Sequence, residues 1–144
     1  MPAKFGHLDK GHPYVKIVVS VDGVNCCAPF LALVDTGFSD FISLPVMQAA
    51  QLGLKPHTTT RYMLANGQAT DPIPVAAGFA CIEGDTLVRG LISISELGSP
   101  LVGVAFLQAC RKGLMIAAGT VIFLPEDEIE AMQKKGAQKA AAKN

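Results

Sequence analysis

Leu33-Val34-Asp35-Thr36-Gly37-Phe38-Ser39-Asp40-Phe41-Ile42-Ser43-Leu44 is the stretch on which the reading of this chain turns. Phe30-Leu31-Ala32-Leu33-Val34 leads into it as an apolar run of strand length. Such a run marks a buried strand, so Asp35 falls where that strand must turn and its carboxylate is only partly solvated. Asp35, Thr36 and Gly37 then supply a carboxylate, a hydroxyl able to bond backbone, and a residue tolerant of close backbone approach. An Asp-x-Gly sequence is also an ordinary turn signal, because aspartate bonds its own backbone in turns. The rest of the chain has to decide between a turn and a reactive loop.

The chain has 144 residues, of which 50% are apolar and 17% charged, which suits one globular domain with a real core. Twelve basic residues balance twelve acidic ones, so no overall charge draws it to nucleic acid or to an anionic membrane. No apolar run approaches the roughly 18 residues of a membrane helix. The first residues, Met1-Pro2-Ala3-Lys4-Phe5-Gly6-His7, lack the apolar core of a secretory signal, and a cytoplasmic location is expected. Cys26, Cys27, Cys81 and Cys110 have no zinc-like spacing and read as reduced core thiols. His7 and His12 flank Asp9 without a further ligand at fitting distance, and no metal or cofactor is expected.

Residues 1–13 read as a polar leader. In 14–21, Val15, Ile17, Val19 and Val21 alternate with Lys16 and Ser20, a strand with one buried face, and Asp22-Gly23 predicts a hairpin into a second strand from Val24. After Leu44, Pro45 at a first helical position with Ser43 as cap opens a short helix that Gly53 stops. Residues 58–64 read as strand, and Asn66-Gly67 predicts a two-residue hairpin protruding at Ala65-Asn66-Gly67-Gln68. Strands follow over 75–82 and 86–95, separated by Glu83-Gly84-Asp85, with Gly90 as a bulge or bend. Pro100-Leu101-Val102-Gly103 is a short apolar strand ending in glycine, 104–112 one or two helical turns stopped by Gly113, and 114–116 with 120–124 further strands. Residues 126–144, acids before lysines, form a polar tail, helical at its start and frayed at its end. The architecture expected from this spacing is mainly β, a barrel or sandwich with one or two short helices.

Three of these signals occur in order: LVDTGFSDF, the hairpin LANGQA, and LVGVAFL. Together, across residues 14–125, they resemble the retropepsin-like aspartic peptidases, the clan that includes the retroviral proteases. Phe38, Leu44-Pro45 and Gly119-Thr120-Val121-Ile122 look most like its bacterial and archaeal DTGF subgroup. The resemblance implies a closed retropepsin-like β-barrel with a flap hairpin. It implies that Asp35 is the catalytic aspartate, that the Thr36 hydroxyl ties two active-site loops across a dimer, and that Gly37 brings backbone to the carboxylate. Ala65, Asn66, Gly67 and Gln68 match the flap over substrate, and Leu101, Val102 and Gly103 the strand packed under the catalytic loop. Phe38, beside the substrate pocket, departs from the small residue of the retroviral enzymes.

Aspartic peptidase chemistry needs two carboxylates sharing a proton, and this chain has one Asp-Thr-Gly. A two-lobed enzyme would need about twice the length, so a C2 homodimer pairing two Asp35 is the economical construction. The expectation is an aspartic endopeptidase acting on polypeptide as a homodimer, without metal. The alternative is a non-catalytic binding or dimerisation module on the same barrel. A serine or cysteine hydrolase lacks its motif context, and phosphate-loop and nucleotide motifs are absent.

Overall fold

The computed structural model describes residues 2–96 and 98–142. Its elements in chain order are β1 (Lys4–Phe5), β2 (His7–Asp9), β3 (His12–Ser20), β4 (Phe30–Val34), β5 (Ile42–Pro45), α1 (Val46–Leu52), β6 (Thr58–Thr60), β7 (Ile73–Ile82), β8 (Val88–Ser95), β9 (Leu101–Val102), α2 (Val104–Ala109), β10 (Lys112–Ala117), β11 (Thr120–Pro125) and α3 (Glu126–Ala142). The fold is mainly β, as its turn-punctuated strands predict.

The larger sheet runs β2-β3-β4-β9-β5-β8-β7-β6. The first half of β3 pairs with β4 and its second half with β7, so the pairings from β3 through β4, β9, β5, β8 and β7 return to β3. Enclosed between them are Val15, Ile17, Val19, Ile42, Leu44, Ile92, Val102 and Phe106, all buried. Burial of a Val, Leu, Ile or Phe side chain stabilises by about 1.5–3 kcal/mol, so this cluster supplies much of the driving force. The smaller sheet, β1-β11-β10, adds Val121 and Phe123 to the same core.

Several local expectations need correction. Residues 4–5 and 7–9 do not stand apart as a leader: β1 pairs with β11, and β2 forms a hairpin with β3 through Lys10 and Gly11, both at positive φ. His7, Asp9 and His12 lie exposed on that hairpin. On β3 the alternation stops early, because Ser20 is buried and Val21 exposed. The Ser20 hydroxyl accepts from Gly23 N–H and donates to Asp22, while Asp22 accepts from Val24 and Asn25 N–H. Those backbone donors hold the Asp22 carboxyl well below the usual carboxylate range. They also build a loop where a two-residue hairpin was expected, and strand resumes only at Phe30.

Cys26 is exposed and Cys27 half-buried, whereas Cys81 is buried; all four thiols are free. Pro45 caps α1 rather than opening it, and Ser43 lies in β5, but Gly53 ends the helix in the left-handed conformation as expected. Gly90 is no bulge. It pairs with Gly78 inside an unbroken ladder, and the Phe41 ring lies on its bare backbone where any Cβ would collide. Helix α2 ends before Gly113, with Arg111 at φ 56; Gly113 is bare because Ile129 of α3 packs on it. α3 continues to Ala142 with no buried residue, and the last two residues of the expected frayed tail lie outside those described. Among the described residues no helix is long and apolar enough to cross a membrane.

Lys112, expected at the end of the helical turns over 104–112, instead opens β10 and is buried beside Asp85. Its Nζ lies 3.6 Å from Asp85 Oδ2 and donates to the Pro2 carbonyl at 3.0 Å, and Lys4 Nζ lies 3.6 Å from Asp85 Oδ1. This group ties the N-terminal strand to the turn after β7. Buried charges persist where paired, and here the one Asp85 carboxylate faces two lysines, each at 3.6 Å and neither within hydrogen-bond reach of its buried oxygens.

Candidate active site

Asp35 follows directly on β4. Its N–H donates to the Val102 carbonyl at 3.0 Å, extending the parallel pairing of Leu33 with Leu101 and Val34 with Val102. On its other side β9 pairs antiparallel with β5, Ile42 with Val102 and Ser43 with Leu101. The two-residue β9 is thus threaded between the strand that enters the turn and the strand that leaves it, and the turn is held from below on both flanks.

Within the turn, Gly37 N–H donates to Asp35 Oδ1 at 2.9 Å and Phe38 N–H to the Asp35 carbonyl at 3.1 Å. One carboxylate oxygen is therefore oriented by backbone, and the half-buried side chain keeps the other available. A Cβ on Gly37 would come within 3.2 Å of Asp35 Oδ1, tight enough to press on the carboxylate that Gly37 N–H orients. Thr36 is exposed on the turn.

Gly103 is the glycine the geometry demands most. A Cβ there would collide with the carbonyl oxygens of Phe38 and Asp40 and sit 2.7 Å from Phe38 Cδ2. Its bareness lets the loop settle on the start of α2, where Gly103 N–H donates to Phe41, Val104 N–H to Phe38 and Ala105 N–H to Ser39. The first donors of α2, otherwise unsatisfied, are used to pin residues 38–41.

Residues 62–70 form a hairpin, although not the two-residue one expected. Gly67 N–H donates to the Leu64 carbonyl and Leu64 N–H to the Gln68 carbonyl, with Gly67 at φ 84. Asn66 is not at positive φ, so the loop is a turn over residues 64–67 with glycine at its last position. Asn66 Oδ1 accepts from Gln68 N–H. Ala65, Asn66, Gly67 and Gln68 are all exposed. Hairpin and Asp35 turn meet at Tyr62, whose ring lies edge-on to that of Phe38 at 5.8 Å and 66°. The Tyr62 hydroxyl sits beside Ser93 and Asp40; burial raises its pKa, Ser93 opposes, and Asp40 adds to the rise. Tyr62 carries no motif of its own in the sequence, and its partners are 22 or more residues away, so nothing local could have singled it out.

A cavity of about 410 Å³ lies on this shoulder, lined by Asp40, Thr60, Tyr62, Arg89, Leu91 and Ser93 among others. Among the described residues no three of His, Cys, Asp or Glu are grouped to hold a metal ion. The arrangement offers one oriented carboxylate per chain, at the open end of a rigid support, flanked by a hairpin. With a second such carboxylate it could activate water.

No protein-family model matches the chain, and no curated protein matches it. Among solved structures, it is similar to the crystal structure of a retropepsin-like aspartic protease from Rickettsia conorii, with a TM-score of 0.58 and 24% identity. That match covers 84% of this chain and 89% of the other. The chain therefore has the fold of a retropepsin-like aspartic protease.

Proposed function

We propose that the protein is an aspartic endopeptidase whose site is completed by a second copy of the same chain. The observation that carries this reading is the Asp35 turn itself: a half-buried carboxylate with one oxygen fixed by Gly37 N–H, braced by β9 between entering and leaving strands. In the proposed dimer two such turns meet on a two-fold axis, with each Thr36 hydroxyl bonding the partner's turn. Two carboxylates in contact share one proton, because like charges that close cannot both ionise. The ionised one takes a proton from water as its oxygen attacks the scissile carbonyl, and the protonated one donates to the carbonyl oxygen. The pair titrates as a unit.

The returning circuit of β-pairings supports reading the sheet as the closed barrel of this fold, and the exposed hairpin at Ala65 to Gln68 as its flap. An extended polypeptide between hairpin and barrel is the proposed substrate. A non-catalytic dimerisation or binding module is the second reading, favoured by the Phe38 ring beside the turn.

Asp35→Asn tests this. It keeps the acceptor oxygen for Gly37 N–H and removes the acid. Cleavage of a peptide library over acidic to neutral pH should vanish, with sedimentation and thermal unfolding unchanged. Equal cleavage by wild type and variant would end the proposal.

A further inference from the structure

Phe38 has a fixed root. Its N–H bonds to Asp35, its carbonyl accepts from Val104 N–H at 2.9 Å, and its ring edge lies against the bare Gly103. The ring's direction is therefore set by the catalytic turn. Across from it stands Tyr62, at the base of the hairpin, whose carbonyl accepts from Thr70 N–H at 2.8 Å and whose N–H donates to Thr70 Oγ1 at 3.0 Å. Beyond these rungs the hairpin carries the bridge of Met63 with Ala69 and the bond from Leu64 N–H to the Gln68 carbonyl at 2.7 Å. Below them the outgoing arm leaves β6, which pairs with β7 over three residues, and the returning arm runs into β7 itself, where Pro72 and Pro74 offer no N–H to the ladder. Met63 and Leu64, further out, are 73% and 46% exposed. The edge-on contact of Tyr62 with Phe38 lies at the base of this hairpin, where it can set the angle at which the exposed outer part leaves the sheet.

We infer that Phe38 and Tyr62 form a latch: positioning residues whose edge-on contact sets where the hairpin rests relative to Asp35. The latch rests on the reading of Asp35 as half a peptidase site only for its catalytic consequence; the mechanical claim stands on the geometry. Tyr62 lines one cavity with Asp40 of the outgoing loop and Ser93 of β8. Phe38, a departure from the small residue of retroviral enzymes, thereby acquires a role: it joins hairpin to turn within one chain. Substrate entering between them must be admitted by opening this contact and held by re-forming it.

Amide hydrogen exchange read residue by residue tests the latch without needing catalysis. In Phe38→Leu and Tyr62→Leu the amides of Leu64, Gly67, Gln68 and Thr70 should exchange about 2- to 10-fold faster, the range an aromatic pair spans. The β7–β8 ladder serves as internal reference and should be unchanged. Tyr62→Phe, which keeps the ring, should stay within about twofold of wild type, and the double Leu variant should open no further than either single. Unchanged hairpin exchange in both Leu variants, an equal rise in hairpin and reference, or additive effects in the double variant would each overturn the latch. In the peptidase assay the Leu variants should raise KM by the same factor with kcat within about twofold; a fall in kcat alone would overturn a positioning role. Asp35→Asn separates the two claims. Its hairpin exchange should equal wild type, and continued cleavage by it removes the peptidase reading while the exchange result still decides the latch.

Discussion

Replacing Gly103 by alanine tests most severely how the Asp35 turn is seated. The backbone there is extended, φ −111 and ψ −172, a conformation alanine adopts freely, so any cost is steric. The added Cβ would lie 2.7 Å from Phe38 Cδ2, where ordinary contact begins at 3.4 Å, and would collide with the Phe38 and Asp40 carbonyls. The ring would have to retreat by 3.4 minus 2.7, about 0.7 Å, and the carbonyls further. Neither side yields easily, since Val102 is fully buried between two strands and residues 38–41 bond directly to the start of α2. Overpacking costs about 1–3 kcal/mol, and weakening of the Gly103–Phe41, Val104–Phe38 and Ala105–Ser39 bonds adds about 1 kcal/mol for each one lost. A loss of about 3 kcal/mol is expected in urea unfolding at fixed protein concentration. Gly136→Ala is the control, because nothing lies within 4 Å of a Cβ there and the residue is helical. It should stabilise by about 0.5–1 kcal/mol. A Gly103→Ala loss below about 0.5 kcal/mol, with the m-value unchanged, would refute the claim that this glycine exists to seat the turn.

Asp85→Ala should cost about 3–5 kcal/mol in the same unfolding experiment, because it leaves buried Lys112 without its counterion; a change under about 1 kcal/mol would contradict that dependence. The Cys110 thiol is pushed up to about 12, by burial first and then by Cys81 and Asp85 nearby. Since the thiolate is the nucleophile, Cys110 should resist iodoacetamide at pH 8 while exposed Cys26 is alkylated. Mass spectrometry of the alkylated protein checks this, and equal labelling of the two would contradict it.

The run from Phe30 through Leu44 is legible in the sequence because its signals are local: an apolar strand, a carboxylate and glycine at a turn, and a second strand. Gly53, the Glu83-Gly84-Asp85 turn and the short strand before Gly103 are readable for the same reason. What escapes is set by partners distant in sequence. Strand β1 has two residues and no periodicity, and exists only because residues 122 and 123 pair with it. Gly90 and Gly113 look like breakers until Phe41 and Ile129 are seen to occupy the space their missing side chains leave. Nothing in the sequence around Lys112 shows that Asp85 and Pro2 lie beside it. In the candidate site, Asp35, Gly37 and Gly103 carry their roles in their chemistry. Tyr62 does not, since its value lies in Phe38, Asp40 and Ser93.

The central claim, that one active site requires Asp35 from two chains, is tested most directly by mixing subunits. Wild type and Asp35→Asn chains are unfolded together at fixed total concentration, refolded, and assayed for peptide cleavage as the wild-type fraction is varied. Random pairing into dimers that need both carboxylates predicts activity proportional to the square of that fraction, so a half-and-half mixture retains about one quarter of the wild-type rate. Activity falling in direct proportion to the wild-type fraction, one half at equal mixing, would mean that each chain works alone and would contradict the account.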